Sequence, residues 1–87
     1  MRVTRKITAT KLTAYLRGTL PLATLVDWAE NAVADGEFES GHESLLMEIV
    51  GRLGTADTGG YELSWEDCVK MLKRLGYKAR INVALAR

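Results

Sequence analysis

Residues 21–36 read PLATLVDWAENAVADG, and their apolar side chains recur with helical spacing. At 100° per residue these side chains cover an arc of about 160°. The opposite face carries the polar side chains Asp27, Glu30, Asn31 and Asp35. Pro21 suits the first helical position, because it lacks only an N–H that would be unpaired there, and Gly36 is a typical terminator. The stretch predicts an amphipathic helix over residues 21–35.

Three further segments combine helical spacing with end signals. Each is preceded by a candidate N-cap residue, namely Thr8, Ser40 and Ser64. Two of these residues begin capping-box patterns, with Glu43 and Asp67 as the acidic partners. Two of the segments end at a glycine, Gly18 or Gly76. The sequence therefore predicts a mainly α fold, an antiparallel bundle of about four short helices over residues 9–17, 21–35, 41–53 and 65–75. We expect Trp28 and Trp65 to anchor its core, since both lie on apolar arcs.

The chain ends show a different periodicity. Residues 79–86 alternate apolar and polar side chains, and Val3, Arg5 and Ile7 give a weaker version of the pattern. These segments predict a small two-stranded β-ribbon between the N- and C-termini. The ribbon would need the helices beneath it, because an isolated strand pair is marginally stable in water. A frayed C-terminal tail is the alternative.

Length and composition exclude several classes of protein. The 87 residues fit one small helical domain, residues 1–87. One cysteine and one histidine cannot form a disulfide framework or a Cys/His zinc site within the chain. The sequence has no apolar run of about 18 residues and no apolar N-terminal stretch like that of a signal peptide. We expect a cytoplasmic protein with no membrane contact and no cofactor.

No residue pattern indicates catalysis. Cys68 lies on the apolar face of the last predicted helix, where a thiol usually acts as an inert small hydrophobe. His42 lacks the second histidine of a zinc-protease motif. Residues 57–62, DTGGYE, have too few oxygen ligands for a calcium loop and suit a flexible connection. We therefore predict that the protein is not an enzyme.

Charge is sorted along the chain. Residues 1–20 contain five basic side chains and no acid, and residues 68–87 contain six basic side chains and no acid. All eleven acids lie in residues 21–67, where Arg52 is the only basic side chain. Either the basic ends fold over the acidic middle and the charges cancel, or the acids form a coherent exposed surface.

The second arrangement predicts a protein-interaction module whose acidic middle contacts a basic protein. The expected contact residues are Asp27, Glu30, Asp35, Glu37, Phe38, Glu39, Glu43 and Met47. Phe38 and Met47 are included because Phe and Met are enriched at interface cores. Self-association through the third helix is a variant, since Met47 and Val50 widen its apolar arc to about 200°.

The alternative is a nucleic-acid accessory protein that binds phosphates through a basic patch made by the two ends. Its expected residues are Arg2, Arg5, Lys6, Lys73, Arg74, Lys78 and Arg80. Such binding would be salt-sensitive and would lack an aromatic stacking platform. A helix-turn-helix interpretation of residues 11–32 fails, because the second helix would present Asp27 and Glu30 to the phosphates.

Residues 12–26, LTAYLRGTLPLATLV, resemble the opening of small bacterial immunity proteins of the colicin type. The likeness implies an acidic helical bundle that neutralises a cationic toxin domain. It covers about a sixth of the chain, and the basic ends depart from a uniformly acidic inhibitor. No functional residue is carried over from it.

Overall fold

A computed structural model describes residues 1–58 and 63–77. In this part of the chain the elements are β1 (Arg2–Val3), α1 (Arg5–Leu16), α2 (Leu22–Asp35), β2 (Glu37–Phe38), α3 (Glu43–Leu53) and α4 (Trp65–Arg74). The mainly helical fold with four helices is confirmed. The antiparallel order of the bundle stays a prediction.

Helix α1 begins one turn earlier than residue 9. Thr4 is its N-cap, with extended backbone, and the Thr4 hydroxyl accepts a hydrogen bond from the backbone N–H of Ile7 at 3.0 Å. The prediction that Thr8 caps the helix is wrong. Thr8 is fully buried inside α1, and its hydroxyl donates to the Thr4 carbonyl at 2.8 Å. Threonine is a favoured N-cap residue, so residue type alone does not distinguish Thr4 from Thr8. Thr4 is the cap because it lies just before the first helical residue.

The other helix ends follow the predicted signals in part. The capping box of α4 is confirmed, because Asp67 N–H donates to the Ser64 hydroxyl at 3.0 Å and Ser64 N–H to the Asp67 carboxylate at 3.2 Å. The box expected between Ser40 and Glu43 is wrong. The Glu43 carboxylate instead accepts from Gly41 N–H at 3.0 Å, and α3 begins at Glu43 rather than at residue 41.

The two strands pair in parallel, with Arg2 opposite Glu37 and Val3 opposite Phe38. A parallel pair needs a long crossover connection, which α1 and α2 provide here. The predicted partner of the N-terminal strand was the C-terminus, whereas the strand observed beside β1 is β2. Arg5 and Ile7, assigned to the N-terminal strand by alternation, lie in α1. The other half of that prediction, residues 79–86, lies outside the described residues.

The core is formed by side chains from all four helices. Leu12 of α1, Leu25 of α2, Leu46 of α3 and Cys68 of α4 are completely buried. The most extensive contact between elements joins α2 and α3, and α1 contacts α2, α3 and α4. Of the two tryptophans, Trp28 is half-buried against this core, whereas Trp65 is 50% exposed. The prediction that Trp65 anchors the core is therefore wrong.

Gly36 ends α2 at a point where the backbone passes close to β1. A Cβ atom at this position would lie 2.5 Å from the Ala32 carbonyl oxygen and 2.7 Å from the Val3 side chain. A Cβ atom at the position of Gly51, on α3, would have no neighbour within 4 Å. Of these two glycines, only Gly36 must lack a side chain for reasons of packing.

The same substitution should have opposite effects at these two glycines. We expect Gly36→Ala to lower the free energy of unfolding by about 1–3 kcal/mol, because overpacking displaces β1. Gly51→Ala should raise it by about 0.5–1 kcal/mol, since alanine has the better helix propensity. Urea unfolding followed by far-UV circular dichroism measures both changes. Equal effects of the two variants would contradict the close approach of Val3 to Gly36.

Candidate functional site

The solvent-facing side of α2 is acidic. Asp27, Glu30 and Asp35 are exposed, and Glu37 is exposed one residue beyond the end of the helix. The three helical acids share a face because their spacing places them within an arc of about 140°. Within residues 1–58 and 63–77, none of these four carboxylates lies in an ion pair. We call these four residues the acidic face.

The opposite side of α2 fixes the orientation of the acidic face. Leu25, Val26, Ala29 and Ala32 are buried there. The helix cannot rotate about its axis without exposing this apolar stripe, since burial of apolar area is the main force that holds it. The acidic face is therefore a preformed surface.

Glu39, another of the predicted contact residues, is used inside the molecule. Its Oε1 accepts from the backbone N–H of Arg5 at 2.9 Å and from the guanidinium Nε of Arg5 at 3.1 Å. Its Oε2 accepts from Nη2 of the same guanidinium at 3.1 Å. The carboxylate lies just after β2 and bonds to the first residue of α1. The Glu39 carboxylate thus connects the strand pair to the N-terminus of α1.

This contact lowers the pKa of Glu39 to about 2, mainly because Arg5 donates hydrogen bonds from its side chain and then from its backbone to the carboxylate. The pKa of Arg5 is raised for the same reason. Helix α1 has no acid in its first turn and carries Arg5 and Lys6 there, although the partial positive charge of a helix N-terminus favours anions. Glu39 supplies the missing negative charge from another part of the chain.

Two further ion pairs join α3 to α4. The guanidinium of Arg74 donates to both carboxylate oxygens of Glu48, at 2.6 and 3.0 Å, and this hydrogen bonding lowers the pKa of Glu48. The guanidinium of Arg52 lies 3.3 Å from the Asp67 carboxylate. The pKa of Asp67 is lowered chiefly by its hydrogen bonds from the backbone and hydroxyl of Ser64.

The charge blocks of the sequence therefore cancel in part. Arg5 from the basic N-terminal block binds Glu39, and Arg74 from the C-terminal block binds Glu48, both in the acidic middle. The ammonium of Lys11 lies 5.8 Å from the centre of the Trp28 ring, a cation–π contact between α1 and α2. Part of the acidic middle is thus neutralised, whereas the four carboxylates of the acidic face have no ion-pair partner within residues 1–58 and 63–77.

The remaining predicted contact residues, Phe38, Met47 and Glu43, differ in how far they are exposed to solvent. Phe38 is half-buried in β2 and packs against the core, so its ring belongs to the fold. Met47 is 43% exposed on α3. Glu43 is exposed, and its carboxylate bonds to Gly41 N–H. Only Met47 and Glu43 of these three are accessible to a partner.

The predicted basic patch is also divided. Arg2, Lys6 and Lys73 are exposed, whereas Arg5 and Arg74 are held by carboxylates. Lys78 and Arg80 lie outside the described residues. Sequence reasoning left out Tyr77, which is 40% exposed and lies near Lys6 at the edge of a groove. The sequence indicates Tyr77 only indirectly, because this residue follows Gly76, the glycine that is predicted to end α4.

The two side chains considered for catalysis have different environments. Cys68 is completely buried, as predicted, and burial raises its pKa to about 11, so its thiol stays protonated at neutral pH. A thiol in this form is a poor nucleophile. His42 is half-buried directly before α3. In the described ranges 1–58 and 63–77, no group of three or more His, Cys, Asp or Glu side chains could hold a metal ion.

Comparison with protein-family models, curated proteins and solved structures found no match to this chain. No helix in the described part of the chain has the length and apolar character needed to cross a bilayer.

The Glu39–Arg5 contact predicts a specific pH dependence of stability. Because folding lowers the pKa of Glu39 to about 2, its stabilising contribution is complete above the ordinary glutamate pKa and is lost as the pH falls through about 2. We expect Glu39→Gln to unfold at lower urea concentration than wild type at pH 7, and this difference should shrink between pH 5 and pH 2. Urea titrations across that range measure it.

Glu37→Gln is the matched control, since Glu37 lies two residues away and is exposed. Its urea midpoint at pH 7 should lie close to that of the wild type. A residual acid dependence is expected in Glu39→Gln, because Glu48 and Asp67 also have lowered pKa values. Parallel curves for wild type and Glu39→Gln would show that the carboxylate does not hold Arg5.

Proposed function

We propose that this protein is a non-enzymatic interaction module whose acidic face, Asp27, Glu30, Asp35 and Glu37, contacts a basic protein. The observation that carries the proposal is the unequal use of the carboxylates. Glu39, Glu48 and Asp67 are bound to arginines, whereas the acidic face has no ion-pair partner within residues 1–58 and 63–77. Its charges remain available to an external cation.

The placement of these acids is unfavourable within the chain itself. Asp27 and Glu30 are three residues apart on α2, and like charges at this spacing destabilise a helix by a few tenths of a kcal/mol. Asp35 is the last residue of α2, where the partial negative charge of the helix C-terminus disfavours another anion. The last turn has no basic side chain to offset it. A basic partner would relieve both sources of repulsion.

A rigid acidic surface suits recognition of a cationic protein. Complementary charge steers encounter and speeds association, most strongly at low salt. The face is held by the buried side of α2, so binding requires little ordering of the interacting groups. An inhibitor of the immunity-protein kind or a subunit of an intracellular assembly would use such a surface. Self-association through α3, where Met47 is exposed, is a variant of the same role.

The basic patch expected from the chain ends has less support. Two of its members, Arg5 and Arg74, each already donate two guanidinium hydrogen bonds to a carboxylate. Each would have to exchange a protein carboxylate for a phosphate. The protein-binding role needs no existing contact to break.

Charge reversal on α2 tests the proposal. The wild-type protein, Asp27→Lys/Glu30→Lys and the control Glu66→Lys would be immobilised and exposed to lysate of the source organism at low salt. We expect wild type and control to retain the same basic protein and the double variant to lose it. With that protein purified, calorimetry should show affinity at least about tenfold lower for the double variant, since close charge pairs couple by about 1.5 kcal/mol or more.

Glu66 is a suitable control because it is an exposed acid on α4 and belongs to no ion pair in the described part of the chain. Retention of the same protein by all three forms would assign binding to another surface. Failure of wild type to retain any protein at low salt would contradict the role itself.

A further inference from the structure

We propose that a groove along α1 binds a single strand of nucleic acid, with phosphates at Lys6 and Arg17 and a base stacked on Tyr77. The groove has a volume of about 400 Å³, and its lining combines the apolar Ala9 and Ala14 with Lys6, Thr10, Thr13, Arg17, Thr19 and Tyr77. It lies on α1, and none of the residues of the acidic face lines it. The inference therefore stands independently of the function proposed for α2.

The groove follows one face of α1. Lys6, Thr10, Thr13 and Arg17 are separated by four, three and four residues, which places them in a row along a helix. At 1.5 Å per residue the row is about 16 Å long from Lys6 to Arg17. Helix α1 contains no acidic residue, so the two cations of the row, Lys6 and Arg17, have no carboxylate beside them on this helix. Such a row matches a chain of regularly spaced anions.

Of the three threonine hydroxyls in the groove, one is available to donate a hydrogen bond to a phosphate. The hydroxyls of Thr10 and Thr19 donate to the carbonyls of Lys6 and Ala14, at 2.8 and 3.1 Å. The Thr13 hydroxyl donates to no group within residues 1–58 and 63–77. It lies between Lys6 and Arg17 in the row and is free to donate to a phosphate oxygen. Lys6 and Arg17 are exposed, and neither forms an ion pair within these ranges.

Tyr77 favours a single strand over a duplex. Its side chain is 40% exposed and lines the groove together with Lys6. Single strands are bound by positively charged grooves that also offer aromatic rings to unpaired bases, whereas the bases of a duplex are stacked inside it. The exposed ring and the cationic row together provide both elements of single-strand binding.

A second cavity of about 330 Å³ continues the groove beyond Lys6 and Tyr77. Arg5 and Glu39 line it, and the guanidinium of Arg5 neutralises the carboxylate through two side-chain hydrogen bonds. The negative charge of this carboxylate is thus balanced by an adjacent cation. Both cavities fall within the range of about 300–1,000 Å³ that is usual for ligand sites.

Fluorescence anisotropy of the full chain with a labelled 12-nucleotide oligothymidine tests the inference. We expect binding at 20 mM salt that weakens as salt is raised. Lys6→Gln/Arg17→Gln should reduce the slope of log affinity against log salt by about 0.7 for each lost phosphate contact. Tyr77→Ala should weaken binding by about 5- to 150-fold, the range for loss of one stacked base, and Tyr77→Phe should restore it.

Lys70→Gln removes an exposed cation of α4 that does not line the groove, and it should bind like wild type. Equal weakening by Lys70→Gln and Arg17→Gln would overturn the inference, since binding would then follow net charge alone. Absence of binding at 20 mM salt would also overturn it. The inference would also be overturned if Tyr77→Ala weakened binding of heparin as much as binding of the oligonucleotide, because a sulfated polysaccharide offers no base to stack. Asp27→Lys/Glu30→Lys should not weaken binding of the oligonucleotide, which separates this groove from the acidic face.

Discussion

The contact between Glu39 and Arg5 joins the parts of this fold that local sequence does not bring together. Glu39 follows β2, and Arg5 begins α1, 34 residues earlier in the chain. Beside the contact, Glu37 N–H donates to the Met1 carbonyl at 2.7 Å and Glu39 N–H to the Val3 carbonyl at 2.9 Å. The strand pair is only two residues long on each side, and so short a pair is marginal alone. The Glu39 carboxylate adds an ion pair with Arg5 beside the strands. Its negative charge also balances the partial positive charge at the N-terminus of α1.

The Glu39–Arg5 ion pair sets Glu39 apart from the acids of α2, which have no ion-pair partner within residues 1–58 and 63–77. The eleven acids lie in one block of the sequence, but the fold pairs Glu39, Glu48 and Asp67 with arginines. The acids that remain on α2 form a smaller and more sharply defined surface. The cations divide in the same way, since Arg5 and Arg74 stabilise the fold while Lys6 and Arg17 face solvent beside an aromatic ring.

Features governed by neighbouring residues could be predicted from the sequence. The extent of α2, the Ser64–Asp67 box and the burial of Cys68 follow from spacing and capping within one helix. Features that depend on distant contacts could not. These features are the start of α1 at Arg5, the pairing of β1 with β2 and the ion pair between Glu39 and Arg5. The strand pairing and the ion pair both require residues far apart in the chain to meet. Trp65 lies on the apolar arc of α4 but beyond the packed core, a distinction that helical periodicity does not contain.

Nuclear magnetic resonance titration of the Glu39 side-chain carboxyl carbon tests most directly whether the fold divides its carboxylates in this way. The account predicts a midpoint near pH 2, because the Arg5 hydrogen bonds stabilise the charged form in the folded protein. A midpoint at the ordinary glutamate value of about 4.3 would contradict it. Glu39 would then be an ordinary surface acid, and the division between internal and outward-facing carboxylates would lose its basis.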